Sequence, residues 1–194
     1  MDSVHEIAIT GQNLPAKYIY TDSINPSQDP SIPLPLLEIP VIDFNRLATP
    51  SIGTGEELER LRSALSSYGC VMDGTVITFV LQDREVEGLQ VLKDEQWFRV
   101  PIVADGLVLN VGDQLEIMSN GEFKSPIHRV VLNPKKERIS MATLSFPQEG
   151  KQIEPFEGLV SRERPRLYRQ VKYNGVAQLG YYQSGKRVTD EVRI

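Results

Sequence analysis

The chain has 194 residues, a formal net charge of −5, 40% apolar residues and 24% charged residues, which is typical of one globular domain. Its densest basic patch, 133–138 (NPKKER), is too short to give the cationic face that nucleic-acid binding needs. There is no apolar run of the ~20 residues that span a bilayer and no signal-peptide pattern at the start. One cysteine, Cys70, excludes an internal disulfide. We therefore expect a cytoplasmic protein without a nucleic-acid or membrane partner.

The amino-terminal part combines a proline-rich arm with one helix. Residues 1–53 are rich in Pro, Ser and Asn, which predicts an extended arm or loop, and the apolar run 39–44 (IPVIDF) predicts an edge strand. Thr54 and Glu57 fit the capping box of a helix start, and Gly69 fits its end. The apolar face of this helix consists of residues at helical spacing, namely Leu58, Leu61, Ala64, Leu65 and Tyr68.

From residue 75 onward the sequence has the pattern of short β-strands. The segments on either side of Asp94-Glu95 alternate in polarity, which predicts a hairpin, and Asn120-Gly121 is a strong tight-turn signal. About seven short strands separated by turns are typical of a sandwich, a barrel or a jelly roll. The predicted strand segments are 75–81, 88–94, 95–101, 106–112, 114–121, 127–133 and 138–146.

Residues 151–194 are polar and predict a partly helical tail. The segment 162–173 (RERPRLYRQVKY) is the candidate helix start, and the glycines at 175, 180 and 185 weaken its continuation. The sequence therefore predicts a mainly β fold with an amino-terminal helix and a carboxy-terminal helical tail.

Four polar residues of the β region could bind a metal and an anion. Asp73 precedes one predicted strand, His128 begins another, and Arg138 and Ser140 follow as Arg-Ile-Ser. A carboxylate and an imidazole can bind Fe(II), and an arginine fork can bind a carboxylate together with a serine hydroxyl. Each residue also has an ordinary explanation, since Asp-Gly is a common turn and a single histidine is more often packed than metal-bound. Spacing alone favours the ordinary explanation.

Two long stretches carry a resemblance to a known family. They are MDGTVITFVLQDREVEGLQVLKDEQWFRVP (72–101) and NVGDQLEIMSNGEFKSPIHRVVLNPKKERISMATLSFP (110–147). Both resemble the catalytic half of plant 2-oxoglutarate- and Fe(II)-dependent dioxygenases, and the codeine O-demethylase-like and norcoclaurine-synthase-1-like subgroup is the most similar. PVIDFNRL and LRSALSSYGC resemble the amino-terminal portion of the same family.

This resemblance implies a partial double-stranded β-helix, or jelly roll. It implies three regions, 1–70 as a shortened amino-terminal arm and helix, 71–150 as an incomplete dioxygenase core, and 151–194 as the tail. The implied function is an oxidoreductase of plant specialised metabolism that hydroxylates or O-demethylates a small aromatic or alkaloid-like metabolite. It would use Fe(II), O₂ and 2-oxoglutarate as co-substrate, with ascorbate as reductant.

Four residues match the functional positions of the family. Asp73 matches the carboxylate ligand of iron in the His-x-Asp pair, and His128 matches the distal histidine. Arg138 and Ser140 match the Arg-x-Ser pair that binds the far carboxylate of 2-oxoglutarate. The first iron histidine falls at Val71, and valine cannot ligate a metal.

Val71 lies where two segments that are far apart in the family sequences follow each other directly in this chain. After Cys70 the family continues with a long segment that includes the first jelly-roll strands and the first iron histidine, whereas this chain passes directly to the equivalent of Asp73. An internal deletion by splicing, gene decay or a faulty gene model would produce such a join. Besides the impaired oxygenase, the sequence leaves two alternatives open. One is a non-catalytic binding protein that keeps Arg138 and Ser140 and binds a carboxylate ligand or an intact paralogue, and the other is a non-functional fragment.

Overall fold

The computed structural model describes residues 33–48, 54–67, 73–125, 127–131, 133, 135–184 and 186–194. Within these ranges, Leu34–Ile194 forms one unit by its internal contacts. The predictions for the arm up to residue 32, for Gly69 and for the join at Cys70–Val71 fall outside the described residues. None of the helices in the described ranges is long and apolar enough to cross a membrane.

Two three-stranded antiparallel sheets form the centre of the described structure. The first has the order β4–β1–β6 and the second has the order β3–β2–β5. A two-stranded sheet, β7–β8, follows in the tail. The strands are β1 (Ile77–Leu81), β2 (Leu89–Lys93), β3 (Gln96–Arg99), β4 (Val108–Val111), β5 (His128–Val130), β6 (Met141–Ser145), β7 (Gln152–Ile153) and β8 (Val171–Lys172).

The predicted hairpin is confirmed. Strands β2 and β3 pair with Lys93 opposite Gln96, and the two residues between them, Asp94 and Glu95, have φ values of 48° and 62°. Positive φ at both positions is the requirement of a type I′ turn, whose twist matches that of the flanking strands. Trp97 on β3 is 1% exposed and is therefore part of the core.

The strand predicted at 39–44 is wrong. The extended contact lies earlier, where Leu36 bridges Arg99 in parallel and the backbone N–H of Leu37 donates to the Arg99 carbonyl at 2.8 Å. Helix α1 (Phe44–Ala48) then begins inside the predicted strand. The carboxylate of Asp43 accepts a hydrogen bond from the Asn45 N–H at 2.9 Å, as helix-capping residues do, and this cap outweighs the apolar run.

Helix α2 (Thr54–Ser67) confirms the predicted helix. The Glu57 side chain is fully buried, accepts a hydrogen bond from the Asp43 N–H at 2.8 Å and pairs with Arg46 and Arg60. Glu57 therefore ties α2 to the start of α1. The predicted apolar face is wrong at one position, because the Leu58 side chain is 54% exposed.

The strand predicted at 114–121 is also wrong, because this segment forms helix α3 (Asp113–Met118). Asn120 and Gly121 have φ values of 52° and 76° and donate to the carbonyls of Ile117 and Glu116 at 3.0 and 2.8 Å. This pair of bonds is the Schellman motif that ends helices. The same Asn-Gly pair that favours a hairpin turn thus ends a helix here.

The tail folds around α3 rather than continuing a helix from 162–173, where the predicted helix is wrong. Its helices are a short 3₁₀ helix (Glu157–Leu159), α4 (Gly175–Gln183) and α5 (Val188–Val192). Asn174 caps α4 by accepting from the Ala177 N–H at 2.9 Å, so the helix begins at Gly175 and contains Gly180, two of the glycines expected to weaken it. A core cluster joins α3 to the tail through Ile117, Ile153, Tyr168, Tyr173, Val188 and Val192.

Candidate functional site

Asp73 lies in the loop that leads into strand β1. Its carboxylate accepts hydrogen bonds from the Thr75 N–H at 3.1 Å and from the Thr78 hydroxyl at 2.6 Å. Its carbonyl accepts from the Asp113 N–H at 2.6 Å. Both ends of the residue are therefore fixed, and the carboxylate retains lone pairs beyond the two that these donors occupy.

His128 begins strand β5 in the second sheet and lies opposite Val91 of β2. Residues directly opposite each other in an antiparallel pair share a face, so His128 lies on the same face as the buried Val91. The Nδ1 atom of His128 is buried and has no hydrogen-bond partner among the described residues. Burial lowers the pKa of this imidazole to about 4, so it is neutral at physiological pH.

Arg138 and Ser140 lie together immediately before strand β6. The Arg138 Nη1 donates to the Ser140 hydroxyl at 3.2 Å. The intervening Ile139 is held by Asp83, whose carboxylate accepts the Ile139 N–H at 3.0 Å. Hydrogen bonds from the backbone of Glu85, Ile139 and Val86 lower the pKa of Asp83 to about 2. Asp83 thus positions the Arg-x-Ser segment, a role that the sequence did not predict.

Gly88 makes room for the Arg138 side chain. A Cβ atom at position 88 would lie 2.7 Å from Cδ and 2.8 Å from Nε of Arg138, and 3.0 Å from the Val131 carbonyl oxygen. The Gly88 carbonyl accepts the Val131 N–H at 2.8 Å, so Gly88 lies where β2 meets β5. Arg138 therefore packs against this junction of the two strands. The role of Gly88 was not predicted either. The available signal was a glycine at the start of the predicted strand 88–94.

The structure shows a direct contact between two of the four candidate residues, Arg138 and Ser140. Asp73 lies in the loop before β1 of the first sheet, whereas His128 lies on β5 of the second sheet. Within the ranges that the structure describes, no group of three or more His, Cys, Asp and Glu side chains could hold a metal ion.

We expect the buried imidazole of His128 to make stability depend on pH. Its pKa is about 4 in the folded chain, against 6.5 for an ordinary solvated histidine, so the unfolded chain binds the proton more tightly. The stabilisation is complete above about pH 6.5 and is lost as the pH falls towards 4, by up to about 3 kcal/mol. Urea unfolding of the parent and of His128→Gln between these pH values measures the difference. His5→Gln is the matched control, and the prediction fails if that variant flattens the dependence instead.

Gly88→Ala should destabilise the chain by about 1–3 kcal/mol, because the added methyl group overlaps Arg138. The cost should fall by about half or more in an Arg138→Ala background, where the side chain it meets is absent. Equilibrium urea unfolding of the parent, the two single variants and the double variant gives the coupling free energy between positions 88 and 138. Gly55→Ala is the control, since a Cβ there has nothing within 4 Å. An equal cost in both backgrounds would identify the Val131 carbonyl as the constraint instead.

The part of the chain that carries the candidate site is similar to known enzymes. Residues 63–147 match the family model of the 2OG-Fe(II) oxygenase superfamily. Codeine O-demethylase from Papaver somniferum is 39% identical over 124 residues, which cover 63% of this chain and 34% of that enzyme. S-norcoclaurine synthase 1 from Coptis japonica is 36% identical over 124 residues, which cover 63% of this chain and 35% of that enzyme. The chain therefore spans about one third of the length of these relatives.

Solved structures agree with the sequence relatives. JOX2 in complex with 2OG, Fe and JA matches with a TM-score of 0.51 and 36% identity, covering 59% of this chain and 32% of that one. The rice dioxygenase for auxin oxidation matches with a TM-score of 0.57 and 28% identity, covering 63% and 43%. These neighbours are 2OG oxygenases of the jelly-roll fold, which confirms the predicted mainly β, partial jelly-roll architecture. Residues 63–147 of the chain are therefore similar to the 2OG-Fe(II) oxygenase superfamily, and plant enzymes are among the proteins that the chain matches.

Proposed function

We propose that this chain derives from an Fe(II)- and 2-oxoglutarate-dependent oxidoreductase of plant specialised metabolism, that it keeps the carboxylate-binding site and that it binds iron weakly. One observation carries the proposal, the arrangement of Arg138 and Ser140. Their contact at 3.2 Å is held by Asp83 and given space by Gly88. The similarity of residues 63–147 to the 2OG-Fe(II) oxygenase superfamily indicates the chemistry that such a site serves.

The residues present fit the far carboxylate of 2-oxoglutarate. A guanidinium presents five donors in a planar fork, and Arg138 directs one of them to Ser140. Its Nε is buried and has no partner in the part of the chain that the structure describes. A carboxylate beside this fork would gain charge-assisted hydrogen bonds from Arg138 and a further one from the exposed Ser140 hydroxyl.

The described residues do not fit a complete iron site. Asp73 and His128 offer one carboxylate and one neutral imidazole, whereas the iron sites of such oxygenases use two imidazoles and one carboxylate. The resemblance places the missing imidazole at Val71, which lies outside the described residues. Losing a ligand should cost more than losing an outer hydrogen-bond partner of a ligand, which typically costs ~10–100-fold. We therefore expect oxygenase activity to be impaired in this chain.

For the intact lineage we propose hydroxylation or O-demethylation of a small aromatic or alkaloid-like metabolite, with O₂ as oxidant, ascorbate as reductant and a cytoplasmic location. The names of two relatives, codeine O-demethylase and S-norcoclaurine synthase 1, support this substrate class. When bound, Fe(II) supplies the oxygen chemistry, and Arg138 and Ser140 orient the co-substrate beside it.

A second candidate function is non-catalytic binding to an intact paralogue. Strand β6 lies at the edge of the first sheet, and all five of its residues are exposed. Met141 and Leu144 are 68% and 48% exposed. A strand edge with apolar side chains favours pairing with a strand of another chain, so co-purification with an intact relative would support this function.

We expect 2-oxoglutarate to raise the melting temperature of the chain under argon without added iron. A ligand at a hundredfold excess over its Kd stabilises a folded protein by about 2.7 kcal/mol. Arg138→Ala should abolish the shift, and Ser140→Ala should reduce it. Arg84→Ala is the matched control, because Arg84 is exposed and pairs only loosely with Asp105 at 3.7 Å. A cooperative melt that 2-oxoglutarate leaves unchanged contradicts the retained site, and the lack of a cooperative melt supports the non-functional fragment.

Restoring a histidine at position 71 should strengthen iron binding. Val71→His would supply the imidazole of the His-x-Asp pair beside Asp73, so we expect Fe(II) affinity to rise at least about tenfold. Isothermal titration calorimetry under argon measures this affinity in the parent and the variant. The double variant Val71→His, His128→Gln is the control and should lose the gain. Equal affinity in all three chains would show that Asp73 and His128 do not form one metal site.

A further inference from the structure

Ser140 lies in an exposed, extended part of the chain. Residues 139–146 are all exposed, and residues 137–140 form neither helix nor strand. The Ser140 hydroxyl accepts a hydrogen bond from Nη1 of Arg138 at 3.2 Å. A hydroxyl oxygen that accepts a hydrogen bond still carries its own proton and a second lone pair. The Ser140 Oγ is therefore available as a nucleophile to an enzyme that approaches from solvent.

Basic residues occupy three of the five positions directly before Ser140. They are Lys135, Lys136 and Arg138. Both lysines are exposed, and the ion pair of Lys136 with Glu85 at 3.2 Å joins two exposed groups, so it is weak and exchangeable. Protein kinases select their substrates partly by the pattern of charge around the acceptor hydroxyl. The segment therefore suits a kinase whose substrate groove is acidic.

The place of Ser140 in the fold allows it to separate from the sheet at low cost. Strand β6 lies at the edge of the first sheet, and its pairing with β1 ends where Met141 lies opposite Leu81. The hydrogen bond that holds the Ile139 N–H is exposed to solvent. Exposed hydrogen bonds and element ends open at a lower free energy than the centre of a sheet. Ser140 can therefore enter a kinase groove while the rest of the sheet stays paired.

The surroundings of Ser140 suit a phosphate group. The Arg138 fork already contacts the Ser140 Oγ, and a guanidinium binds phosphate oxygens through strong, charge-assisted hydrogen bonds. Asp83 is the carboxylate that holds this segment, and it would repel a phosphate. Its charge is stabilised by three backbone N–H groups, those of Glu85, Val86 and Ile139, at 2.9, 2.9 and 3.0 Å. These donors reduce the repulsion, so the attraction by Arg138 dominates.

We propose that Ser140 is a phosphorylation site for a protein kinase that selects basic segments, and that its phosphorylation closes the carboxylate-binding site. The Ser140 Oγ forms a bond to the γ-phosphorus of ATP, ADP leaves with the electron pair of the broken P–O bond, and a base of the kinase takes the hydroxyl proton. The phosphate then occupies the Arg138 fork and repels a second anion. The closure, unlike the modification itself, rests on the proposed function.

Incubation of the chain with Mg²⁺, ATP and the catalytic subunit of cyclic AMP-dependent protein kinase tests the modification. Peptide mass spectrometry should locate the phosphate at Ser140. Ser145 and Ser161 are internal controls, because both are exposed and neither has a basic residue among the five positions before it. The Ser161 hydroxyl also donates to the Glu163 carboxylate at 2.9 Å. Ser140→Ala should lose the modification. Phosphate at the control serines instead, or no phosphate, would overturn the site.

Charge variants test how the kinase recognises the segment. Glu137 is exposed and is the acidic residue closest before Ser140, so Glu137→Arg should raise the rate of phosphorylation about tenfold or more. The double variant Lys135→Glu, Lys136→Glu should lower the rate by a similar factor. Glu38→Arg, at an exposed position outside the segment, is the matched control and should leave the rate unchanged. Equal rates in all these chains would overturn recognition by charge.

Two measurements on the phosphorylated chain test the closure. Phosphorus NMR should give a second phosphate pKa below the usual value of about 6, because the Arg138 cation favours the dianion. A pKa of 6 or above would show that the phosphate does not occupy the fork and would overturn the closure.

Thermal melts with 2-oxoglutarate and without iron give the second measurement. The unmodified chain should show a rise in melting temperature, and phosphorylation should weaken 2-oxoglutarate binding about tenfold or more and remove that rise. A rise that survives phosphorylation would overturn the closure. If the unmodified chain shows no rise, the proposed function fails, whereas the mass spectrometry and the phosphate pKa still decide the modification and its contact with Arg138.

Discussion

The antiparallel pairing of β1 with β4 and β6 is the constraint on which the remaining arrangement depends. Its register places Ile77 opposite both Val111 and Ser145, and Leu81 opposite Met141. Asp73 therefore enters at one end of the first sheet, and the Arg-x-Ser segment enters at the other. Strand β1 holds both through hydrogen bonds, since Thr78 binds the Asp73 carboxylate and Asp83, just beyond β1, binds the Ile139 N–H. A one-residue slip would move both groups and turn the apolar side chains to the opposite face.

Arg138 extends this arrangement from the first sheet to the second. It precedes β6 but packs at Gly88, directly before β2, and β2 places Val91 opposite His128. At about 3.3 Å per residue, Gly88 and Val91 are about 10 Å apart along the chain. The second sheet thus carries both the space that Arg138 occupies and the candidate imidazole. The proposed anion site therefore has support from both sheets, whereas no three-ligand metal site forms in the described residues.

The tail contributes through a buried polar network. Arg187 donates to Asp113 at 2.8 Å and to Glu116 at 3.2 Å, and the Tyr168 hydroxyl donates to Glu116 at 2.8 Å. Burial raises the pKa of Asp113 to about 6, against the opposing effect of Arg187. Because the Asp113 N–H also binds the Asp73 carbonyl, the tail is connected to the loop that carries the candidate iron ligand. Removing one charged residue from such a buried network usually destabilises a protein by more than the ion pair stabilises it. We therefore expect the tail to stabilise the loop that carries Asp73.

Local sequence determined the elements whose signals are purely local. The Asp94-Glu95 hairpin, helix 54–67 and strands β1, β2, β3, β4, β5 and β6 follow from alternation, capping and turn chemistry. The four candidate site residues came from a resemblance, and their roles stay predictions. Tertiary structure decided the rest. The segment 114–121 became a helix because Asn-Gly suits a helix end as well as a hairpin, and the buried Glu116 and Ile117 find their partners in the tail. The contacts of Asp83, Gly88 and Gln82 are with residues far along the chain. Hydrogen bonds and close packing between distant segments leave no periodic signal in the sequence, so these contacts could not be predicted from it.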